Sequence, residues 1–301
     1  MSAGSIDNDD RFGQLRRPRG GDTVVIDTIM RVLRYVLLIG LALIFLLPFY
    51  IMVRNALMTQ EEITAFDAWQ WFPASFQWSN VRTLFSDQSI DFARAMLNSA
   101  LLALVNLVFQ TLFASMAGYA LARIPFRGSN VIFYLILLTL MIPSAVTFVP
   151  TFLVVNALGG IPTLWGIVIP GLFSAFGTFL FRQFYLDFPT EIEEAGRLDG
   201  NSFFGVYWKL LLPNSMGIMA ALGVLSFIGS WNAFLWPLIA GGSSAGTRTV
   251  QVVLSGFLTA QTINLPALFA GAVVGALPLV IVFLVLQRLI VQGVRMSGIK
   301  G

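Results

Sequence analysis

The stretch PTEIEEAGRLDGNSFFGVYWKLLLP, residues 189–213, is a compact charged island in an otherwise apolar chain. With Asp187 just ahead of it, the island gathers Glu191, Glu193, Glu194 and Asp199, five of the fifteen acidic residues. On its left lies Gly128–Phe181 and on its right Leu210–Thr247, two long runs without a single charge. Charge kept so compactly between hydrophobic walls calls for a role, and the flanks decide the fold class.

Only 11% of the 301 residues are charged and 57% are hydrophobic, against roughly 25% charged in a soluble chain. Further uncharged runs cover Tyr35–Val53, Ala95–Ala122 and Thr249–Gln287. A spanning helix needs about 20 apolar residues, and lipid admits only helices or closed barrels because every backbone amide must find an internal partner. Barrel strands alternate over about ten residues, whereas these runs are longer and uniformly apolar. The expected class is an all-α polytopic membrane protein. The chain has no Cys and no His, which excludes disulfides, thiol nucleophiles and His/Cys zinc sites.

Working outward from the island, the runs resolve into six spans. Residues 1–30 are polar and carry Arg11, Arg16, Arg17 and Arg19, reading as a cytoplasmic tail whose charge sets topology; nucleic-acid binding is the weaker alternative. The six-span domain is expected over 31–301. Span one is Leu33–Val53 and span two Met96–Leu121. Gly128–Phe181 divides at Asn156-Ala-Leu-Gly-Gly-Ile-Pro162, a turn signature, into spans three (Val131–Val155) and four (Leu164–Phe181). Span five is Ser215–Ile239, and Val250–Ala260 reads as an external loop or half-helix. Span six is Leu265–Gln287. Trp69, Trp71 and Trp78, outside span one, suit an interface belt, a partner contact or a sugar ring. Of eighteen basic residues, Arg54, Arg82, Arg94 and Arg248 fall on one side and the other fourteen on the opposite side. The positive-inside rule puts the fourteen, both termini and the island in the cytoplasm. No charged residue falls deep inside a span, so a self-powered pump, which buries such a group for charge relay, is disfavoured.

Within the island, Thr190 and Glu193 match a capping box, and Glu193 with Arg197 a favourable i, i+4 pair. Gly200 can adopt the left-handed conformation that ends a helix, and Ser202 can cap the next one. That second helix is hydrophobic nearly all round, Lys209 excepted, so it is expected to be sandwiched. Ala195 and Gly196 offer a smooth patch for close approach by another protein. A docking element and an ordinary linking loop both fit these features.

The spacing Glu194-Ala195-Gly196, Asp199-Gly200 and Leu212-Pro213 resembles the EAA loop of ABC importer permeases, placed two spans before the C-terminus. Leu97-Asn98-Ser99, Phe179–Phe184, Trp231–Pro237 and the tail Gly298–Gly301 are similar to the carbohydrate-type members, so the resemblance covers Leu33–Gly301. Gly196 in place of Ala, and Asn201 in place of a frequent Ala, are departures. The resemblance implies a non-catalytic half-channel in a bacterial or archaeal plasma membrane, with a coupling loop at 187–213. It implies a second permease subunit, an ATP-binding cassette ATPase dimer that binds ATP and Mg, and an extracellular solute-binding protein. It further implies coupling through Glu194, Ala195, Gly196, Asp199 and Gly200, and a sugar, polyol or glycerol-phosphate cargo.

The chain itself carries no phosphate loop, since Lys209 and Lys300 are its only lysines. No cofactor or metal is expected on it. An intramembrane protease is disfavoured by the missing His and by the lack of Asp within spans; a stand-alone channel or facilitator is the alternative. The polar residues within spans are Asn106, Gln110, Ser115, Thr139, Ser144, Thr147, Ser174, Thr178, Ser226, Ser230 and Asn232. Asn232 beside Trp231 is expected either to line the solute path, amide and indole together suiting a sugar, or to bond between helices.

Overall fold

The computed structural model describes residues 20–65, 69–87, 90–242, 244–258 and 263–297. Apart from one bridge pairing Leu258 with Ile263, the regular structure among them is helical. The residues divide at Ile51 into two compact units. The first contains most of α1 (Gly20–Ala56). From Val25 to Phe49 every side chain except Gly40 is exposed. Thirty-seven residues at 1.5 Å each make about 56 Å of helix, well beyond the roughly 30 Å hydrocarbon core. The helix therefore begins before the span start expected at Leu33, since Asp22-Thr-Val-Val-Ile-Asp27 contains no helix breaker. Of the expected tail 1–30, residues 1–19 lie outside the described residues.

The second unit opens with α2 (Gln60–Thr64) and α3 (Ser79–Ser86). A capping box forms at Thr59 and Glu62, whose side chain also accepts from Ala74 N at 3.0 Å. The Thr59 and Ala74 amides hold the Glu62 carboxyl below its usual range. Span two is one helical run made of α4 (Phe92–Val105), a π turn at Asn106–Gln110, and α5 (Thr111–Arg123). Span three is broken: α6 (Ser129–Thr139) and α7 (Ser144–Ala157) meet at 101°, with Pro143 at the break. Span four bends by 41° between α8 (Leu164–Val168), continued as a tight turn to Gly171, and α9 (Ala175–Leu186).

The island follows as α10 (Thr190–Leu198), α11 (Phe203–Val206), a π turn at Tyr207–Leu211 and α12 (Leu212–Asn214). A 78° bend at Ser215 leads into α13 (Met216–Trp231). Span five is not continuous to Ile239. It stops at Trp231 and resumes as α14 (Leu235–Ala240). The expected half-helix is α15 (Val250–Gly256), and α16 (Leu265–Ser297) closes the described chain, ten residues past the expected end of span six at Gln287.

Three helices are long and apolar enough to cross a membrane, and six crossings result if each bent pair is one span. Of the three buried clusters among the described residues, two are large. One joins α4, α13 and α15 through Phe92, Ala103, Phe227, Trp231 and Val250. The other joins α5 and α9 to the island through Tyr119, Phe181, Tyr185, Tyr207 and Leu211. The α5–α9 approach depends on Gly118, where an added methyl would lie 2.6 Å from Phe181 Cβ and 2.8 Å from Arg182 N.

Candidate functional site

The island is braced from above by the last residue of α5. Arg123 donates through Nε to Tyr185 O at 2.8 Å and through Nη2 to Phe188 O. These carbonyls lie at the C-terminal end of α9, where backbone oxygens lack helical partners and the dipole attracts a cation. The Arg123 Nε also lies 3.7 Å from Glu193, a buried carboxylate on α10. This contact overturns the expected capping box at Thr190. Pro189 occupies the cap position, Thr190 is already helical and no side chain caps the start, because Glu193 is turned inward to a cation seventy positions earlier in the sequence. Arg197 likewise places its guanidinium 4.3 Å above the Phe203 ring instead of pairing with Glu193.

The glycine corner forms as expected. Gly200 has φ +83°; its N–H donates to Arg197 O and that of Asn201 to Gly196 O, the paired bonds of a Schellman cap. Asn201, one of the two departures from the family pattern, adds a second bond to Gly196 O through Nδ2 and accepts from Lys209 Nζ at 2.9 Å. Ser202 caps α11 by accepting from Gly205 N. Gly196, the other departure, does not belong to an outer patch: it is buried, and a methyl there would collide with Leu210 Cδ1. The exposed members of the expected set are Glu194, Ala195, Asp199 and Gly200.

The second island helix is not sandwiched within this chain. Val206, Tyr207 and Leu211 are buried, but Phe204 and Trp208 are exposed, as is Leu198 at the end of α10, at 89%. The buried face carries a polar network that composition did not reveal. Ser115 Oγ lies 2.7 Å from Tyr185 OH and accepts from Tyr207 OH at 3.0 Å. Ser215 Oγ donates to Leu211 O at 2.6 Å and lies 3.2 Å from Tyr185 OH. Tyr119 OH donates to Phe203 O at 3.2 Å. The island is thus tied to α5, α9 and α13 through side chains that all have partners.

A second feature lies farther along the bundle, a cleft of about 420 Å³ where three helical runs are interrupted. The π turn contributes Asn106 and Gln110, the break between α8 and α9 contributes Gly171 and Ser174, and α13–α14 contribute Ser226, Ser230 and Trp236. Irregular backbone at membrane depth is tolerated where it lines a cavity. Asn106 Nδ2 donates to Leu102 O and Ser230 Oγ, and Gln110 Nε2 to Gly171 O. Four other span polars are locally spent: Thr139 on Ile136 O, Thr147 on Ser144 O, Thr178 on Ser174 O, and Ser174 as the cap of α9.

Trp231 and Asn232 are not brought together on this cleft. Trp231 is 1% exposed, stacks on Phe227 and donates its indole N–H to Gly275 O at 3.0 Å. Asn232 is exposed, ends α13 and accepts from Gln251 Nε2 at 3.3 Å. Among the described residues, no group of three or more His, Cys, Asp or Glu side chains is placed to hold a metal ion.

Comparison with known proteins identifies the family to which the chain belongs. The family described as "Binding-protein-dependent transport system inner membrane component" matches residues 110–296. The arabinooligosaccharides transport system permease protein AraQ of Bacillus subtilis is 32% identical over 262 residues, covering 87% of this chain and 92% of its own. AraQ of Halalkalibacterium halodurans is 36% identical over 204 residues, 68% of this chain and 73% of its own. The sn-glycerol-3-phosphate transport system permease protein UgpE of Yersinia pestis is 32% identical over 263 residues, 85% of this chain and 92% of its own. A chain in the crystal structure of a bacterial ABC transporter involved in import of the acidic polysaccharide alginate shares the fold, with TM-score 0.76 and 23% identity over 87% of this chain and 96% of that one. The chain belongs to the family of inner-membrane permease components of binding-protein-dependent transport systems.

Proposed function

We propose that this chain is one half of the channel of an ATP-driven importer for a sugar, or for a related polyol or glycerol phosphate. It crosses the membrane six times, with both termini and the island in the cytoplasm. A second permease subunit completes the channel, and an extracellular binding protein delivers the solute. A pair of ATP-binding cassette subunits binds ATP and Mg and supplies the energy. The observation that carries this reading is the exposed edge of the island, Glu194 and Ala195 with Leu198, Phe204 and Trp208, held from behind by Arg123 and the tyrosine network. Apolar side chains on a charged loop outside the bundle match a partner surface, and the bracing gives that partner something stiff to push.

Coupling then runs through Glu194, Ala195, Asp199 and Gly200 on the outside, with Gly196 setting how closely α10 lies on Leu210. Asn232, exposed at the end of α13, is offered as a path residue, with buried Trp231 holding the helix end behind it. Replacing Glu194 by Lys is expected to leave the complex assembled while cutting solute-stimulated ATP hydrolysis. Unchanged stimulation in the reconstituted complex would overturn the coupling role. A stand-alone facilitator would instead purify without an ATPase and conduct without ATP, which family membership disfavours.

A further inference from the structure

The cleft contains a chemical irregularity that packing does not explain. Asn106 Oδ1, Thr111 Oγ1 and Ser226 Oγ have no hydrogen-bond partner among the described residues. Asn106 is only 8% exposed and Thr111 only 4%, and all three residues line the same cleft. An unmade hydrogen bond on a buried polar atom costs roughly 1–3 kcal/mol, and Ser or Thr in a membrane helix ordinarily avoids that by bonding its own preceding turn. Thr139, Thr147 and Thr178 do so here; Thr111 and Ser226 do not. The arrangement around Asn106 keeps its acceptor open. Its Nδ2 is held by Leu102 O and Ser230 Oγ, which fixes Oδ1 as the unpartnered end. A methyl on Gly171 would stand 3.0 Å from that oxygen.

We infer that this cleft is a solute subsite within the present chain, and that it takes the hydroxyl groups of a neutral sugar or polyol and not a phosphate. This rests on the permease reading above and narrows its cargo. An amide oxygen asks for a donor, while hydroxyls at Thr111 and Ser226 can give or accept; a sugar hydroxyl, donor and acceptor at once, complements all three. A phosphate offers mainly acceptors and negative charge. The cleft lining has no Arg or Lys to meet it, and a buried anion without a cation is costly. Phe176 and Trp236 add aromatic carbon to the lining, suited to the apolar face of a sugar ring. Trp236 is fixed in place by its N–H bond to Ile167 O and its edge-on contact with Phe148. The volume falls in the range of about 300–1,000 Å³ that holds small ligands.

Because the chain has no cysteine, Ser226→Cys gives it a single, nearly isosteric reporter. The variant is assembled with its partner subunits in membrane vesicles. Mixed-disulfide formation on this chain by a small neutral methanethiosulfonate, with release of methanesulfinate, is followed by mass, with arabinotriose, maltotriose, glycerol or glycerol 3-phosphate present. The expected result is a reactive cysteine whose labelling a neutral sugar slows about tenfold at ten times its dissociation constant, with glycerol 3-phosphate leaving the rate unchanged. Adding Gly171→Ala is expected to raise the protecting concentration about fivefold, the loss of one hydrogen bond. An unreactive cysteine, no protection by any neutral compound, or equal protection by glycerol 3-phosphate overturns the inference. Each of those can occur in a complex that still retains its ATPase, whereas failure to retain an ATPase counts against the permease reading itself.

Discussion

Two ends of one helical run meet opposite fates. Thr111, Ser115, Tyr119 and Arg123 stand four residues apart on α5, and so share one face. From Ser115 to Arg123, about 12 Å of helix, each polar head has a protein partner: Tyr185 and Tyr207, Phe203 O, then Tyr185 O and Phe188 O. One step toward the cleft, Thr111 has none, and Asn106 beyond it leaves its oxygen unmet. A fully partnered network resists deformation, and a half-met one invites an outside ligand. The row thus separates a stiff end that can transmit force from an open end that can bind.

The sharpest way to break this contrast is Arg123→Ala. It removes the side-chain donor to Tyr185 O and Phe188 O and takes from the buried Glu193 its ion-pair partner. Removing one partner of a buried pair costs about 3–5 kcal/mol, and denaturant unfolding of the purified chain in nanodiscs reads it. A loss below about 1 kcal/mol would mean that the ion pair behaves as a surface one and that the stiff end is not stiff.

Gly118→Ala tests the same end through shape. Its methyl meets Phe181 Cβ and the backbone of Arg182, which cannot rotate away. Overpacking of about 1–3 kcal/mol is expected, with α5 and α9 forced apart in crosslinking between them. Tyr185→Phe is milder. It deletes the hydroxyl shared by Ser115 and Ser215, yet Ser115 keeps Tyr207 OH and Ser215 keeps Leu211 O. About 1 kcal/mol should be lost, measured by the same unfolding curves, together with weaker solute stimulation of the ATPase.

How much of this was readable beforehand follows from how far each partner lies along the chain. Gly200 and Ser202 were legible because a left-handed corner and an N-cap are settled by three or four neighbouring residues. The turn after Ala157 was legible for the same reason. Thr190 and Glu193 had the spacing of a capping box, but Arg123 claimed the carboxylate, and no local rule could see it. Thr59 and Glu62, with the same spacing, did form the box, the Glu62 carboxylate accepting from the Thr59 amide at 2.8 Å. Trp231 and Asn232, adjacent in sequence, point to different surroundings because α13 ends between them. Ser115 and Ser226 are alike in sequence terms, hydroxyls in apolar helices. Only the placement of Tyr185 and Tyr207 beside one of them tells them apart.

That pair supplies the most sensitive test, since only one of its two hydroxyls has a protein partner to lose. Ser226→Ala removes a hydroxyl that bonds nothing among the described residues, so unfolding should show no loss of stability, and a gain of up to about 1–3 kcal/mol as the unmade bond is relieved. Ser115→Ala, which takes a bridging oxygen from two buried tyrosines, should cost about 1–3 kcal/mol. Transport should rank them differently: Ser226→Ala is expected to weaken uptake of a neutral solute by raising the half-saturating concentration, while maximal ATPase stimulation is kept. If Ser226→Ala destabilises as much as Ser115→Ala, then the hydroxyl has a structural partner after all, and the two ends of the row are alike.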